Sequence, residues 1–291
     1  MKLTVATCQF PVDADIRKNL TFTLRQMRMA KQLRAQVVHF SEACLSGYAG
    51  AEFDSFAGFD WDLLAHSTRQ VMDLAKQLRL WVILGSTHRL TGKHKPHNSL
   101  YIINDRGQIM DRYDKCFCCG QRSGKTDDLK YYSPGDHLCV FSVNGLRCGA
   151  LICHDFRYDE LYRQYKKRGA QLIFHSYHMG RVRKAKIRRT KQIYESVVPG
   201  TMQAYAANNY MWISANNTSA RESAWPSFVV GPEGQITGRL RNNAAGVLIT
   251  TVNTDKKYND ASEAWRERCI NGCYHSGKLV KDKRSADHTC L

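Results

Sequence analysis

The stretch LRCGALICHDFRYDEL, residues 146–161, gives the clearest indication of how this chain folds. Its first half is a run of small and apolar residues typical of a buried strand, and the run stops at Cys153. Upstream, Asn144-Gly145 separates this run from another apolar run, which is a strong signal for a β-hairpin. Downstream, an amphipathic segment at 159–168 predicts a helix before the strand QLIFHSY, residues 171–177. A hairpin followed by a strand, helix, strand unit predicts a sheet with both antiparallel and parallel neighbours.

The same alternation of strands and helices extends along the rest of the chain. Further helices are predicted at 15–33, 61–79 and 181–207. Further strands are predicted at 3–9, 37–45, 81–87, 98–104, 108–114, 211–217, 227–232, 235–240 and 246–252. Because hairpins occur among the helical connections, a purely parallel doubly wound sheet does not fit, and a layered α/β sandwich with mixed sheets does. We expect one domain at 1–255 and, at 256–291, an extended tail that is a candidate oligomer contact.

Composition supports a globular protein with an excess of positive charge. The 291 residues are 43% hydrophobic and 24% charged, which argues against disorder and fibrous folds. Lys and Arg number 43 against 26 Asp and Glu, a net charge of +17 that favours anionic partners. The opening MKLTVATCQF reads as a strand rather than a secretion signal, and no apolar run is long enough to span a membrane. The 11 cysteines lack regular spacing, so we expect free thiols and a cytoplasmic protein.

Three predicted strand ends carry reactive side chains. Glu42 lies near the end of VVHFSEACL, Lys115 follows QIMDRYD, and Cys153 ends the strand of the opening stretch. Each residue alone has an ordinary structural explanation, as a solvated carboxylate, a solvated cation or a small core residue. Together they supply a thiol, a carboxylate that can take its proton and a cation that can hold developing negative charge. That combination is the minimum required for acyl transfer.

These segments resemble the nitrilase superfamily of carbon–nitrogen hydrolases. In that family a Glu lies in a segment like SEACLSGY (41–48), a Lys follows an aromatic-x-Lys strand end, and a Cys lies in a segment like ICHDFRYDEL (152–161). The similarity runs over about residues 2–253, from VATCQF to SFVVGPEGQI. It implies a four-layer α-β-β-α sandwich that is usually dimeric. It also implies the catalytic set Glu42, Lys115 and Cys153. No metal or other cofactor is expected.

The resemblance and the chemistry of these groups assign their roles. Cys153 would attack the substrate carbon, and its place before a helix would favour the thiolate. Glu42 would take the thiol proton, give it to the leaving amine and then activate water. Lys115 would stabilise the tetrahedral oxyanion with the backbone N–H of His154. A thioester intermediate would form and be hydrolysed.

Four further residues are candidates for supporting or substrate-binding roles. The family's second Glu corresponds here to Asp128, one methylene shorter, although Asp127 beside it makes the alignment ambiguous. His154 could contact the substrate, and the resemblance implies a buried ion pair for Arg157. Tyr48 could line the pocket or serve only in packing.

Two other patterns have competing explanations. Seven cations and no acid occur within 181–191, which could bind phosphate or nucleic acid, form a solvated or subunit-facing helix, or direct one cation at a carboxylate-bearing substrate. The solvated face is favoured because no aromatic residue interrupts the run, so nucleic acid is not the expected partner. The clusters at 116–119 and 269–275 lack the paired spacing of structural zinc sites, so no metal is predicted. Oxidation-sensitive loop thiols are expected at 116–119.

The resulting prediction is a thiol-dependent amidase that releases ammonia or an amine from a small amide through a Cys153 thioester. Hydrolysis of nitriles or N-carbamoyl amino acids is the alternative, because the same three residues serve all three reactions. A non-catalytic binding or scaffold protein for anionic partners is the alternative from another class. A homodimer or a higher homo-oligomer is expected.

Overall fold

A computed structural model describes the backbone of residues 1–120, 127–181 and 184–289, and the side chains of these ranges except 184–191. The described strands are β1 (Lys2–Gln9), β2 (Val37–Phe40), β3 (Trp81–His88), β4 (His97–Ile103), β5 (Ile109–Asp114), β6 (Val140–Val143), β7 (Leu146–Ile152), β8 (Leu172–Ser176), β9 (Trp212–Asn216), β10 (Phe228–Val230), β11 (Ile236–Arg239) and β12 (Gly246–Asn253). The helices are α1 (Ile16–Gln32), α2 (Trp61–Leu78), α3 (Asp128–Tyr131), α4 (Asp159–Lys167), α5 (Lys184–Asn209), α6 (Arg266–Ile270) and α7 (Lys283–Ala286). None of these helices is both long enough and apolar enough to cross a membrane.

The described strands form two six-stranded mixed sheets. One has the order β12, β1, β2, β3, β4, β5, and the other has the order β11, β10, β9, β8, β7, β6. In the first sheet β1 is antiparallel to β12 and parallel to β2. In the second, β7 is antiparallel to β6 across the turn at Asn144 and Gly145, and parallel to β8. Both turn residues have positive φ, 50° and 85°, as a two-residue hairpin requires.

Alternating side chains on the strands separate the four layers. On β1, Leu3 and Val5 belong to the core that the first sheet shares with the second, whereas Ala6 and Cys8 belong to the core under α1 and α2. The far side of the second sheet packs against α4 and α5 through buried tyrosines, valines and methionines. Successive strand residues point to opposite faces of a sheet, and both faces carry buried apolar side chains. Each sheet is therefore packed on both sides. The predicted α-β-β-α sandwich is therefore confirmed.

Asp side chains begin the two helices that cover the first sheet. Asp15 accepts a hydrogen bond from the N–H of Arg17 at the start of α1, and Asp60 accepts one from Leu63 at the start of α2. Such caps satisfy N–H groups that have no partner within the helix. The helices predicted at 15–33 and 61–79 therefore agree with the structure to within one residue at each end.

Two predicted elements differ from the structure. The strand predicted at 37–45 ends at Phe40, because the next residues turn over Gly85, where a Cβ would lie 2.0 Å from the Ser41 carbonyl oxygen. The tail after 255 is not wholly extended, since it contains α6 and α7. Near α6 it packs on the end of α5, where Arg266 Nε donates to the carbonyl of Asn208 at 2.8 Å.

Candidate active site

Three chain turns bring the predicted catalytic residues together. Glu42 lies in the turn after β2, Lys115 directly follows β5, and Cys153 follows β7 as the first residue of a short 3₁₀ helix, Cys153–Arg157. Backbone bonds fix the first two, from Glu42 N–H to the Tyr177 carbonyl at 3.3 Å and from Lys115 N–H to the Asn98 carbonyl at 2.9 Å. Glu42 and Lys115 are fully buried, and Cys153 is 9% exposed. The site is therefore assembled from the ends of strands in both sheets.

Lys115 is the centre of the buried charge cluster. Its Nζ lies 2.9 Å from Glu42 Oε1 and 2.6 Å from Asp128 Oδ2. Burial alone would lower the pKa of Lys115, but Glu42 and the neighbouring acidic groups hold it well above its usual range. The lysine therefore remains a cation in a region where an unpaired charge would be costly.

The two carboxylate oxygens of Glu42 have different surroundings. Its Oε1 accepts hydrogen bonds from Lys115 Nζ and, at 2.7 Å, from Asn98 Nδ2, whereas its buried Oε2 has no hydrogen-bond partner among the described residues. Burial raises the pKa of Glu42, against the opposing effect of Lys115. A carboxylate with a raised pKa is a better proton acceptor than an ordinary one, and Oε2 is the oxygen that could take the proton.

The surroundings of Cys153 favour its protonated form. Its contact with the Cys119 thiol, its burial and the nearby Glu42 charge together raise the pKa of Cys153 well above its usual range. These surroundings oppose the thiolate that the helix start was expected to favour, and that expectation stays a prediction. The 3₁₀ helix has only five residues, and its favourable end is outweighed by burial and a neighbouring carboxylate. Attack by Cys153 would accordingly need a base.

Asp128, rather than Asp127, is the acid that contacts Lys115. Its Oδ2 accepts from Lys115 and, at 2.9 Å, from the backbone N–H of Cys119, and the Tyr48 hydroxyl donates to its Oδ1. Burial would raise the pKa of Asp128, but Lys115 and these hydrogen bonds hold it below its usual value. Tyr48 is thus tied to the charge cluster through Asp128, in addition to packing.

His154 and Arg157, which follow Cys153 in the chain, lie in different environments. His154 is half-buried, and its hydrogen bond to Cys119 raises the pKa of His154, while hydrogen bonds to Cys153 and His154 lower the pKa of Cys119 to about 5. The expected burial of Arg157 is wrong: its side chain is exposed, and its guanidinium lies over the rings of Phe156 and Tyr194 at 4.5 and 5.6 Å. Aromatic faces, rather than a buried carboxylate, contact this cation.

The buried acid of this segment is Asp155. It accepts from the Tyr113 hydroxyl at 2.7 Å and from the N–H groups of Ile152 and Phe117, both at 2.9 Å. These bonds join the turn that carries Cys153 to the chain on both sides of Lys115. Burial raises the pKa of Asp155 to about 6.

A cavity of about 490 Å³ opens above the cluster. Its walls are formed by Tyr48, Ala49, Gly50, Cys119, Asp127, Asp128, Lys130, Tyr131, Cys153, His178 and Met179. The volume lies within the range of small-molecule sites. Since Cys153 is part of the wall and Glu42 and Lys115 lie behind it, a bound molecule would meet the thiol first.

The basic segment 181–191 lies mostly outside the described side chains. Arg181 is described, and its Nε lies 3.2 Å from Glu52 Oε1 while Nη2 lies 3.7 Å from Asp13 Oδ2. This cation is therefore paired with two acids of the protein.

The thiol of Cys153, the cation of Lys115 and the acids Glu42 and Asp128 occupy one site. A model of the carbon–nitrogen hydrolase family matches residues 4–258. The chain belongs to this family. Among relatives of this carbon–nitrogen hydrolase, omega-amidase NIT2 of Xenopus tropicalis is 27% identical over 175 residues, which is 59% of this chain and 62% of that protein. The N-carbamoylputrescine amidase of Solanum tuberosum is 24% identical over 270 residues, which is 87% of each protein. The matched region thus spans about three-fifths of the omega-amidase.

Solved structures share the fold of this carbon–nitrogen hydrolase. An amidase of the nitrilase superfamily from Nesterenkonia superposes with a TM-score of 0.73 and 20% identity, covering 87% of this chain and 91% of that one. The similarity of fold at this identity agrees with the layered architecture described above.

Four residues of the carbon–nitrogen hydrolase site were not singled out as site residues from the sequence: Asn98, Glu52, His178 and Cys119. His178 Nε2 lies 3.0 Å from Glu52 Oε1, with only 2% and 0% of the two side chains exposed. The His178 ring stacks on Tyr48 with 4.8 Å between ring centres, and the Tyr48 N–H donates to Glu52 Oε2 at 3.0 Å. The pair therefore supports the tyrosine that bonds to Asp128. For His178, the signal in the sequence was the position of a polar residue just after the strand QLIFHS.

Glu52→Gln should lower the free energy of unfolding by about 3 kcal/mol near pH 5.5, because it breaks a buried pair. Burial would raise the pKa of Glu52, but His178 holds it low; burial would lower the pKa of His178, but Glu52 holds it high. The pair is then at full strength between the ordinary values of the two groups, about pH 4.3 and 6.5. Its contribution disappears as pH rises through the raised pKa of His178 or falls through the lowered pKa of Glu52.

Urea unfolding at pH 5.5 and pH 9 would check this, with the exposed Glu160→Gln as the matched control. The variant should lose more stability at pH 5.5 than at pH 9, and the control should be affected little at either pH. An equal loss at both values would contradict the charge pairing.

Proposed function

We propose that this protein is an amidase that hydrolyses a small amide through a thioester on Cys153. The observation that carries the proposal is the buried Oε2 of Glu42, which has no hydrogen-bond partner in the described part of the chain, near a thiol and a lysine whose pKa values are both held high. A neutral nucleophile, an available base and a fixed positive charge are what acyl transfer requires.

In the first half of the reaction, Cys153 attacks the amide carbon while its thiol proton moves to Glu42 Oε2. The carbonyl oxygen becomes an oxyanion, which Lys115 Nζ and the backbone N–H of His154 would stabilise. When the carbon–nitrogen bond breaks, Glu42 returns the proton to the leaving nitrogen. Ammonia or an amine departs, and the acyl group remains on the sulfur as a thioester.

In the second half, water takes the place of the leaving amine. Glu42 accepts a proton from this water as its oxygen attacks the thioester carbon. The carbon–sulfur bond then breaks, and the proton returns to the sulfur of Cys153. A carboxylic acid leaves, and the site regains its starting protonation.

Asp128 acts through Lys115 rather than on the substrate in this proposal. It accepts one Lys115 N–H and is held in turn by Tyr48, so it fixes the direction of the ammonium group. Since Glu42 holds another N–H, a substrate oxyanion could receive the third of the three donors of the lysine.

The choice of amide over nitrile or N-carbamoyl substrates rests on relatives. Solved structural neighbours are named amidases, and one shows the acetamide moiety of fluoroacetamide added covalently at the active-site cysteine of that protein. Other relatives are named omega-amidase and N-carbamoylputrescine amidase. The homodimer and the cytoplasmic location stay predictions.

The test compares ammonia release from short aliphatic amides, nitriles and N-carbamoyl amino acids. We expect turnover of the amides, with a mass increase equal to the acyl group on the Cys153 peptide after acid quenching. Turnover of nitriles alone, or of N-carbamoyl amino acids alone, would overturn the amidase assignment. An adduct on the Cys119 peptide would overturn the choice of nucleophile. No turnover and no adduct with any of the three classes would favour the binding or scaffold alternative.

A further inference from the structure

Three side chains with metal-binding atoms meet where the edges of the two sheets approach each other. Asp111 lies on β5, which is the edge strand of the first sheet, and His137 and Cys139 lie just before β6, which is the edge strand of the second. One ligand atom from each residue lies within 4.8 Å of the other two. We name Asp111, His137 and Cys139 the edge trio. None of these residues belongs to the cavity above Cys153.

The edge trio is already ordered by contacts among its members. His137 Nε2 lies 3.0 and 2.9 Å from the two carboxylate oxygens of Asp111, and the buried Cys139 thiol interacts with the same carboxylate. In a tetrahedral site with bonds of about 2.0 to 2.3 Å, ligand atoms lie roughly 3.3 to 3.8 Å apart. The trio would therefore need only small movements to surround an ion.

The types of donor indicate which ion would bind. A thiolate, an imidazole nitrogen and a carboxylate oxygen are ligands of zinc, whereas calcium and magnesium prefer oxygen alone. We propose that the edge trio binds a divalent transition metal ion, Zn²⁺ in particular. Three protein ligands would leave the fourth position for water, on the side of a surface cavity of about 670 Å³ lined by Asp111 and His137.

Charge and protons balance in this site. The Cys139 thiol releases its proton on binding, and neutral His137 binds through Nε2 with its proton on Nδ1. One thiolate and one carboxylate then neutralise the two positive charges of the ion. The nearby cation Arg112 is already paired with Asp114 through two hydrogen bonds of 2.8 and 2.9 Å, so its charge is compensated locally.

An ion at the edge trio would fasten one sheet to the other. The chain between β5 and β6 carries both Lys115 and Asp128, and its two ends are the strands that the trio would join. Because the ion would bind the folded trio and not the dispersed residues of the unfolded chain, it should stabilise the protein in proportion to its concentration. Metal binding at the edge trio does not depend on the proposed hydrolase activity.

The experiment measures Zn²⁺ affinity of the metal-free full chain against a chromophoric chelator. The chain is tested with Cys119→Ser and Cys153→Ala, which removes the cavity thiols as competing ligands. In this background, Asp111→Asn, His137→Gln and Cys139→Ser should each weaken binding by more than about 100-fold, beyond the effect of groups that only support a ligand. The exposed His94→Gln and Cys269→Ser serve as controls, and their affinity should change less than about twofold.

Two further measurements test metal binding at the edge trio. Co²⁺ should give a thiolate-to-metal charge-transfer band that disappears in Cys139→Ser, and saturating Zn²⁺ should raise the Tm of the parent but not of His137→Gln. His137 is exposed, so its variant should fold even if that of Cys139 does not. Affinity unchanged in the trio variants, or a cobalt complex without the charge-transfer band, would overturn the proposal. If the chain with its cavity thiols bound Zn²⁺ and the chain with Cys119→Ser and Cys153→Ala did not, the metal would be assigned to the cavity instead.

Discussion

Cys153→Ala should reduce kcat for amide hydrolysis by on the order of 10⁴-fold or more, the size of effect seen when a nucleophile is removed from a catalytic set. Alanine has no group that can form the thioester, and Cys153 is the cavity residue that begins the 3₁₀ helix. The acyl adduct on the 152–157 segment should disappear as well. Steady-state ammonia release and intact-protein mass after acid quenching would measure both effects.

Cys148→Ala is the matched control, because Cys148 is another buried cysteine at the same strand, β7, and does not line the cavity. Its kcat should stay within about threefold of the parent, while its stability should fall slightly from the lost packing. If Cys153→Ala kept the parent's kcat, or if both variants lost activity equally, Cys153 would not be the nucleophile.

Lys115→Met should destabilise the fold by about 3 to 5 kcal/mol and abolish hydrolysis. Methionine preserves much of the side-chain volume but leaves the carboxylates of Glu42 and Asp128 buried without their cation. Both pKa values would then rise, so the unfolding free energy of the variant should increase as pH is lowered from 8 toward 5. Chemical unfolding at several pH values would measure this slope.

Arg163→Met is the control for the loss of a cation from an ion pair. Arg163 contacts Asp159 at 3.0 Å on α4, but the two side chains are 49% and 41% exposed. Water screens that pair, and the substitution should change stability by less than about 1 kcal/mol. A comparable loss in both variants, or a Lys115→Met variant whose stability does not depend on pH in this direction, would contradict the buried charge cluster.

The residues that could be predicted from the sequence are marked by their position at the ends of predicted strands. Glu42 and Cys153 lie at or near the end of an apolar run, and Lys115 directly follows a predicted strand. The structure brings Glu42 and Lys115 into direct contact and places Cys153 at the adjoining cavity. The layered fold followed from the same runs. The length of β2 did not, because it ends where the chain crosses Gly85, a contact between segments far apart in sequence.

The supporting residues were less accessible to prediction because their partners are distant. Asp127 and Asp128 are neighbours, and only the start of α3 decides which one reaches Lys115. Glu52 and His178 are separated by 126 residues, and neither lies in a pattern that names the other as its partner. Arg157 lies two residues after the buried Asp155, yet its own side chain is exposed and lies over the rings of Phe156 and Tyr194. Residues two apart in the chain thus face opposite environments.

The buried cluster of one lysine and two acids has a consequence for the energetics of turnover. In the proposed reaction, Glu42 takes each proton that the thiol or the water gives up, so one negative charge only changes position among sulfur, oxygen and carboxylate. The sum of charges in the interior is the same before attack, in each tetrahedral intermediate and in the thioester. The protein therefore never has to import or expel an ion to balance a step, and only neutral molecules, the amide, the amine and water, need to pass through the cavity before the acid product leaves.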